Sequence, residues 1–295
     1  MCVIWGVPYL MIRVAVRELA PVTLVFLRTG LGALLLVPFA WLRGDLRPAF
    51  ARWWPLLAYT VVEVAIPWVL LARAETRLTS SLTGLLIAAV PLVGAVVVGL
   101  TGARERQGPR RWTGLLVGML GVAALVGLDV GQVDALAVAE IGCVAVCYAV
   151  GPIILARRLS DVPALGVVAA SLLVSALIYA PFGIASRPSS MPSAHVVESV
   201  IGLAVVCTAL AFLVFFALIA EAGPVRATVI TYVNPAVALV LGILLLKEPP
   251  TVGKGVGFAL ILAGSYLSTG RSRTPARRLT PEPAVEEPLP TAAAP

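Results

Sequence analysis

The sequence has 295 residues, of which 60% are hydrophobic and only 13% are charged, and its mean hydropathy is +0.99. A soluble domain carries about a quarter charged residues, and a soluble chain this apolar would expose large patches that aggregate. The composition therefore excludes an ordinary soluble protein. The net charge of +7 is spread between apolar runs, which favours contact with anionic lipid headgroups over nucleic-acid binding.

Ten apolar runs, bounded by arginine, proline, glycine or acidic residues, follow one another along the chain. Most reach the roughly 17–25 residues that a helix needs to cross the hydrocarbon. They must be helical because lipid cannot satisfy open backbone groups, so we predict an all-α membrane protein. The predicted spans are 1–16, 22–42, 54–72, 79–100, 112–128, 135–156, 163–185, 197–218, 226–246 and 253–270.

The placement of basic residues predicts the orientation of these spans. If the N-terminus is cytoplasmic, the loops after even-numbered spans and the C-terminal tail hold about twice as many arginines and lysines as the other side. We therefore expect ten crossings of the cytoplasmic membrane with both termini in the cytoplasm. Residues 271–295 are basic and then rich in proline and glutamate, which predicts a disordered tail.

The two halves of the chain resemble each other after a shift of about 143 residues. Trp5 then falls on Tyr148, Glu105 on Glu248, and Pro91 within one residue of Pro235. Each half would hold five helices, and because five is odd the second half would insert in the opposite sense. We predict two inverted five-helix repeats, 1–128 and 135–270. This architecture is typical of secondary transporters, whose substrate site lies near the midplane between repeats.

Short motifs recur in a fixed order along residues 1–270. They are Trp5-Gly6, Pro21-Val22-Thr23-Leu24 before Arg28, Pro91 followed by Arg104-Glu105, Asn234-Pro235 followed by Leu246-Lys247-Glu248-Pro249, and the glycines Gly114, Gly118, Gly121, Gly253, Gly257 and Gly264. Together they resemble the EamA-type branch of the drug/metabolite transporter superfamily. The resemblance implies ten helices, cytoplasmic termini, and export or exchange of small metabolites such as amino acids by alternating access. The halves differ chemically, because Ser171 stands where the repeat would place a second Arg28.

Two ionisable residues lie inside predicted spans, where a charge is costly. Arg28 could attract a substrate carboxylate or phosphate, or it could act as a structural lock. Glu63 could couple transport to protons, or it could form a structural ion pair with Arg28, which lies about one helical turn away in depth. The sequence leaves both alternatives open.

Helix-breaking and aromatic residues complete the candidate substrate site. Pro67, Pro91 and Pro235 are expected to break their helices and free backbone groups. Trp68 would then line the cavity or lie at the membrane interface. Trp5 and Tyr148 would flank the cavity, while Tyr232 and Asn234 would offer polar groups to a substrate or to a neighbouring helix.

Other polar positions favour structural roles. Glu105 and Glu248 lie at span ends, where we expect them to act as caps or connectors. Glu140 is expected to be a gate or an interfacial residue. His195 is expected to lie in a solvated loop. The four cysteines lie in apolar stretches without neighbouring metal ligands, so we predict no metal site and no cofactor.

The sequence gives less support to functions other than secondary transport. An ATP-driven transporter would need a phosphate-binding loop that the sequence lacks, and an enzyme would need a concentrated set of catalytic groups. A flippase for lipids or lipid-linked sugars is the nearest alternative, followed by a membrane receptor or subunit. The expected partners are a small-molecule substrate and the lipid bilayer, with a homodimer left open, and no nucleic acid is expected.

Overall fold

The computed structural model describes residues 1–100, 109–128, 134–222 and 230–269, and within these ranges the chain forms helices and no strands. In chain order the helices are α1 (Cys2–Gly6), α2 (Pro8–Ala15), α3 (Pro21–Leu42), α4 (Leu46–Ala51), α5 (Trp53–Tyr59), π1 (Thr60–Ala65), α6 (Ile66–Ala74), α7 (Ser80–Ile87), α8 (Val90–Leu100), α9 (Pro109–Gly127), α10 (Ala135–Arg158), α11 (Ala164–Ala185), α12 (Ala194–Ala204), π2 (Val205–Leu210), α13 (Ala211–Ala222), α14 (Ile230–Leu246) and α15 (Val252–Thr269). The predicted tail 271–295 lies outside the described residues.

Six helical segments in the described ranges are long and apolar enough to cross a membrane. They are Pro21–Leu42, Trp53–Ala74, Ser80–Val97, Ala135–Arg158, Ala164–Ala185 and Ala194–Leu218. Four shorter apolar helices cover Cys2–Ala15, Trp112–Gly127, Val233–Leu246 and Val252–Leu267. Each segment falls on one of the predicted runs, and the all-helical membrane architecture is confirmed. The four shorter helices do not establish a count of ten crossings.

The main packing contacts join the first part of the chain to the second. Helix α9 packs along α15, α3 along α11, α7 against α14, α2 against α12, and α6 against α10. The α9–α15 contact is made backbone to backbone. A methyl group at Gly264 would overlap the backbone of Gly118, and one at Gly121 would lie 2.6 Å from the backbone nitrogen of Ile261. Small residues therefore allow these two helices to touch.

Two π-helical turns interrupt otherwise α-helical segments. π1 lies between α5 and α6, and π2 lies between α12 and α13. Their positions correspond, within two residues, under the self-alignment of the sequence. A π turn widens the helix and changes the direction of its side chains, and such turns are frequent at functional sites. Glu63 lies in π1, and Thr208 lies in π2.

Interhelical turns gather at two ends of the bundle. At one end the side chain of Glu18 accepts hydrogen bonds from the backbone and hydroxyl of Ser193, and these bonds lower the pKa of the exposed Glu18 carboxyl. At the other end Arg52 pairs with Asp161. Successive long helices therefore run in alternating directions between the two ends.

Candidate functional site

Arg28 is buried inside the bundle, on the second turn of α3. Its side chain is only 7% exposed, and its guanidinium carbon lies 3.7 Å from the centre of the Trp68 ring. A desolvated cation stacked in this way gains about 2 kcal/mol from the ring. Trp68 therefore supplies part of the stabilisation that burial removes from the charge.

Thr208 supplies the hydrogen bond that orients this guanidinium. The Nε of Arg28 donates to the Thr208 hydroxyl at 3.0 Å, and that hydroxyl donates to the carbonyl oxygen of Leu203 at 2.8 Å. The second bond spans five residues, as the π2 turn allows. The sequence analysis missed Thr208. The signal that could have identified it is its alignment, within two residues, with Glu63 in the repeat.

Trp68 is positioned by the junction between π1 and α6. Pro67 is buried in the first turn of α6, where a missing N–H costs little. The hydroxyl of Tyr179 on α11 donates to the backbone carbonyl of Ala65 at 3.1 Å. The helix is thus interrupted directly before Pro67, and a neighbouring side chain satisfies the backbone there. Trp68 itself is directed into the bundle and is 7% exposed.

Tyr148 links Arg28 and Trp68 to Glu63. Tyr148 packs against the apolar cluster that contains Trp68, and both Arg28 and Glu63 lie within electrostatic range of its hydroxyl. Glu63 is half-buried, and its Oε2 has no hydrogen-bond partner within the part of the chain that the structure describes. The Glu63 carboxylate packs against Gly151 of α10 so closely that a methyl group there would overlap it. Arg28 and Glu63 form no ion pair with each other, although both lie within electrostatic range of Tyr148.

Trp5 contributes to an aromatic wall. Its ring lies 4.7 Å from that of Phe215 and 6.2 Å from that of Phe212. Phe212 also packs against the core cluster that contains Trp68 and Tyr148. Phe212 of α13 therefore connects Trp5 to the cluster around Trp68. The sequence analysis did not select Phe212 or Phe215.

The remaining predicted positions lie around α14 and α8. Asn234 is half-buried, and its backbone carbonyl lies close to Gly6 of α1. Pro235 is buried within α14, which continues through it without interruption. The side chain of Tyr232 lies outside the described residues. Pro91 lies in the first turn of α8, just after α7 ends, so the chain is broken ahead of Pro91 rather than at it.

Two surface clefts, of about 300 and 280 Å³, lie elsewhere. The larger is lined by α2, α12 and the end of α14, and the smaller by α3 and α11. Neither contains Arg28, Glu63 or Asn234. Among the described residues, Trp68 and Thr208 pack directly against the Arg28 guanidinium.

Salt bridges join the helix ends at the end of the bundle nearest Arg28. Glu140, which is 7% exposed, pairs with Arg73 at 3.1 Å and also with Arg77. Arg77 lies 3.9 Å from Asp134 as well. These contacts tie the C-terminal end of α6 to the N-terminal part of α10. A gate at Glu140 would have to break both arginine contacts.

Glu248 caps α7. Lys247 has a φ of 56°, and this left-handed turn brings the next residue to the start of the helix. The Glu248 carboxylate accepts hydrogen bonds of 2.8 and 3.0 Å from the backbone N–H groups of Ser80 and Ser81. Burial raises the pKa of this carboxyl, but the bonds from Ser81 and Ser80 outweigh burial and hold it below the ordinary value.

Glu75 follows α6 and was not selected from the sequence. It is 0% exposed, and neither of its carboxyl oxygens has a hydrogen-bond partner among the described residues. Burial raises the pKa of the Glu75 carboxyl well above the ordinary value, and the negative charge of Glu248 raises it further. The positive charges of Arg13 and Arg28 act in the opposite direction. Arg28 and Glu75 thus lie within electrostatic range of each other.

Comparisons with known proteins agree with this architecture. The EamA-like transporter family matches residues 1–127 and 137–270. A solved crystal structure that covers 91% of this chain and 93% of its own has a TM-score of 0.66 at 22% identity, which shows a shared fold.

Several relatives are described as transporters. An uncharacterized transporter of Archaeoglobus fulgidus is 22% identical over 91% of this chain and 94% of its own length. The uncharacterized transporter YvbV of Bacillus subtilis is 24% identical over 92% of this chain and 90% of its own length. The uncharacterized inner membrane transporter YedA of Escherichia coli is 27% identical over 81% of this chain and 78% of its own length. Two family matches that together span most of an apolar helical chain identify it as a multi-pass membrane protein of the EamA-like transporter family, within the drug/metabolite transporter superfamily.

Proposed function

We propose that this protein is a secondary transporter that exports small metabolites bearing a carboxylate, such as amino acids, across the cytoplasmic membrane by alternating access. The buried guanidinium of Arg28 carries this proposal. It stacks on Trp68 and donates one hydrogen bond, to Thr208, and no acidic side chain in the described part of the chain forms an ion pair with it. A buried cation without a paired anion is a binding site for an anionic group.

The aromatic residues around Arg28 suit the rest of such a substrate. Trp5, Trp68 and Tyr148 offer apolar faces, while Tyr148 and Thr208 provide hydroxyl groups beside the charge. Sites for small molecules commonly combine an apolar lining with a few polar groups that fix orientation. A short metabolite with one carboxylate matches that combination.

Alternating access would arise from two inverted five-helix repeats of ten crossings, with both termini cytoplasmic. The reciprocal packing supports this arrangement, because α2 packs against α12 as α10 packs against α6. A two-fold relation between the halves produces such exchanged pairs. The two π turns at matching positions and the two family matches, 1–127 and 137–270, also support it.

The test is counterflow in liposomes that contain the purified protein. Vesicles loaded in turn with each common amino acid and with the corresponding amino acid amides are diluted into trace amounts of the labelled compound. We expect labelled amino acids to accumulate and their amides, which lack the carboxylate, to accumulate far less. Arg28→Ala should abolish the difference, and Arg28→Lys should retain part of it.

Two results would count against the proposal. Absence of counterflow for the whole panel would remove the metabolite assignment, and equal loss of amino acids and amides in Arg28→Ala would indicate a folding role for Arg28. The same vesicles, prepared with fluorescent phospholipids, test the competing flippase function. Rapid loss of lipid asymmetry that requires the protein would favour a flippase.

A further inference from the structure

Three carboxyl groups are buried in the described part of the chain, and one of them has no partner. Glu140 pairs with two arginines. Glu248 accepts hydrogen bonds from Ser80 and Ser81. Glu75 is 0% exposed, and neither of its carboxyl oxygens has a hydrogen-bond partner in the described ranges. A buried carboxyl without hydrogen bonds binds a proton more readily than an exposed one.

Opposing charges act on Glu75 from the neighbouring elements. On α2, Arg13 donates a hydrogen bond to the backbone carbonyl of Glu75 rather than to its carboxyl group, and the Tyr9 hydroxyl lies within electrostatic range. On α3, Arg28 attracts the carboxylate, and Glu248 in the loop after α14 repels it. On α10, Glu140 is already neutralised, by Arg73 and Arg77 of the α6 end.

Arg28 and Glu75 are placed to sense each other's charge. Helix α3, which carries Arg28, packs against α6, which ends immediately before Glu75. Each of the two groups contributes to the electrostatic field at the other, and Tyr9 lies in range of both. They form no direct ion pair, so a ligand anion can approach Arg28 without displacing Glu75.

We propose that Glu75 is a proton-binding site linked to anion binding at Arg28, so that a carboxylate substrate and one proton cross the membrane together. This inference rests on the transport function proposed above. In the empty carrier, the Glu75 carboxylate balances the Arg28 guanidinium. When a substrate carboxylate binds to Arg28, it takes over that balance, and Glu75 accepts a proton on its carboxylate.

With a substrate that carries one net negative charge, the buried site then has no net charge in either state. A site that changes conformation inside a low-dielectric bundle avoids the cost of moving an uncompensated charge. Linkage is reciprocal, so the substrate strengthens proton binding by the same factor as the proton strengthens substrate binding. With a monovalent anion the cycle is electroneutral, and a high internal concentration of the metabolite drives export together with a proton.

The first experiment tests proton binding without a substrate. Infrared spectra of the protein in lipid nanodiscs are recorded between acidic and alkaline pH. We expect a protonated-carboxyl band that grows as the pH falls, that Glu75→Gln removes and that the surface variant Glu198→Gln retains. An unchanged band in Glu75→Gln would overturn the proposal. This outcome is independent of whether counterflow identifies a substrate.

The second experiment tests coupling, with aspartate or glutamate, each of which carries one net negative charge at neutral pH, as the probe. For the wild type, we expect the inside-to-outside concentration ratio of the probe to rise about tenfold for each unit by which the external pH is lowered. Its net uptake should be insensitive to membrane potential. Glu75→Gln should retain counterflow but lose the pH dependence. Its empty carrier would hold an unbalanced Arg28 charge, so its net uptake should depend on membrane potential. Loss of pH dependence in Glu63→Gln, with Glu75→Gln unchanged, would place the proton at Glu63 and overturn the assignment.

Discussion

The Nε of Arg28 donates a hydrogen bond of 3.0 Å to the hydroxyl of Thr208, joining α3 to the π2 turn. Since the Thr208 hydroxyl in turn donates to Leu203, its acceptor lone pairs face the guanidinium. The guanidinium is thereby held flat against Trp68, and its terminal nitrogens are oriented by two contacts from different helices. Thr208 is a positioning residue for Arg28.

Replacing Thr208 with valine should lower the stability of the protein and weaken substrate binding, because the Arg28 guanidinium loses the bond that fixes its orientation. Valine keeps the shape of the side chain but removes the acceptor, and a hydrogen bond to a charged group contributes about 1.5–3 kcal/mol. We expect the half-saturating substrate concentration in counterflow to rise at least about tenfold.

Thr208→Ser is the matched control, because it keeps the hydroxyl and loses only a methyl group. Its affinity should stay near that of the wild type. If serine and valine reduced affinity equally, packing at this position, and not the bond to Arg28, would be the relevant property.

The sequence identified the long-range architecture better than the site. Apolar runs mark spanning helices because lipid imposes a length and a composition on them, and Arg28 was selected because an arginine in such a run is rare. Its stacking on Trp68 could not be predicted, since it depends on how α3 and α6 face each other. Thr208 is a common residue in an apolar helix, and only the π2 turn directs it toward Arg28.

Glu75 was missed for a related physical reason. In the sequence it lies between Arg73 and Arg77 at the end of a span, where a carboxylate paired with either arginine at the surface is the ordinary expectation. In the fold those arginines contact Glu140 of α10 instead, and Glu75 is left inside the bundle. Which acid an arginine selects is decided by tertiary packing.

The cap at α7 should make the protein sensitive to acid. Glu248→Gln keeps the shape but loses the charge that the N-terminal N–H groups of α7 favour, so we expect a destabilisation of about 1–2 kcal/mol at neutral pH. Because the pKa of Glu248 is lowered in the folded state, the stabilisation is present above the ordinary glutamate pKa of about 4.3. It is lost as the pH falls through the lower folded value.

Thermal unfolding in detergent over a range of pH measures this effect. The difference between wild type and Glu248→Gln should be full at pH 7 and should shrink below about pH 4. A difference that stays constant across this range would show that the carboxylate charge does not contribute to the cap.

The contact between α9 and α15 should depend on Gly264. An alanine there would overlap the backbone of Gly118, which cannot move as a flexible side chain can, so the helices must separate. We expect a loss of about 1–3 kcal/mol in unfolding free energy. Gly255→Ala on the same helix is the control, because a methyl group there meets no atom within 4 Å. Equal stability of the two variants would contradict the close approach.

Gly151 should control the position of the Glu63 carboxylate. A methyl group at this position overlaps that carboxylate, so Gly151→Ala should push Glu63 out of its place beside Tyr148 and slow counterflow. On the same helix, Gly142→Ala meets no atom within 4 Å and should leave the rate unchanged.

A second substitution separates displacement of Glu63 from a general disturbance of α10. Glu63→Asp shortens the side chain by one methylene, which makes room for the new methyl group. We therefore expect the double variant Gly151→Ala/Glu63→Asp to exchange substrate faster than Gly151→Ala alone and to recover thermal stability, because volume-conserving pairs avoid the strain of overpacking. Additive losses in the double variant would mean that the two residues do not interact, and the contact between π1 and α10 would then have no part in holding the site.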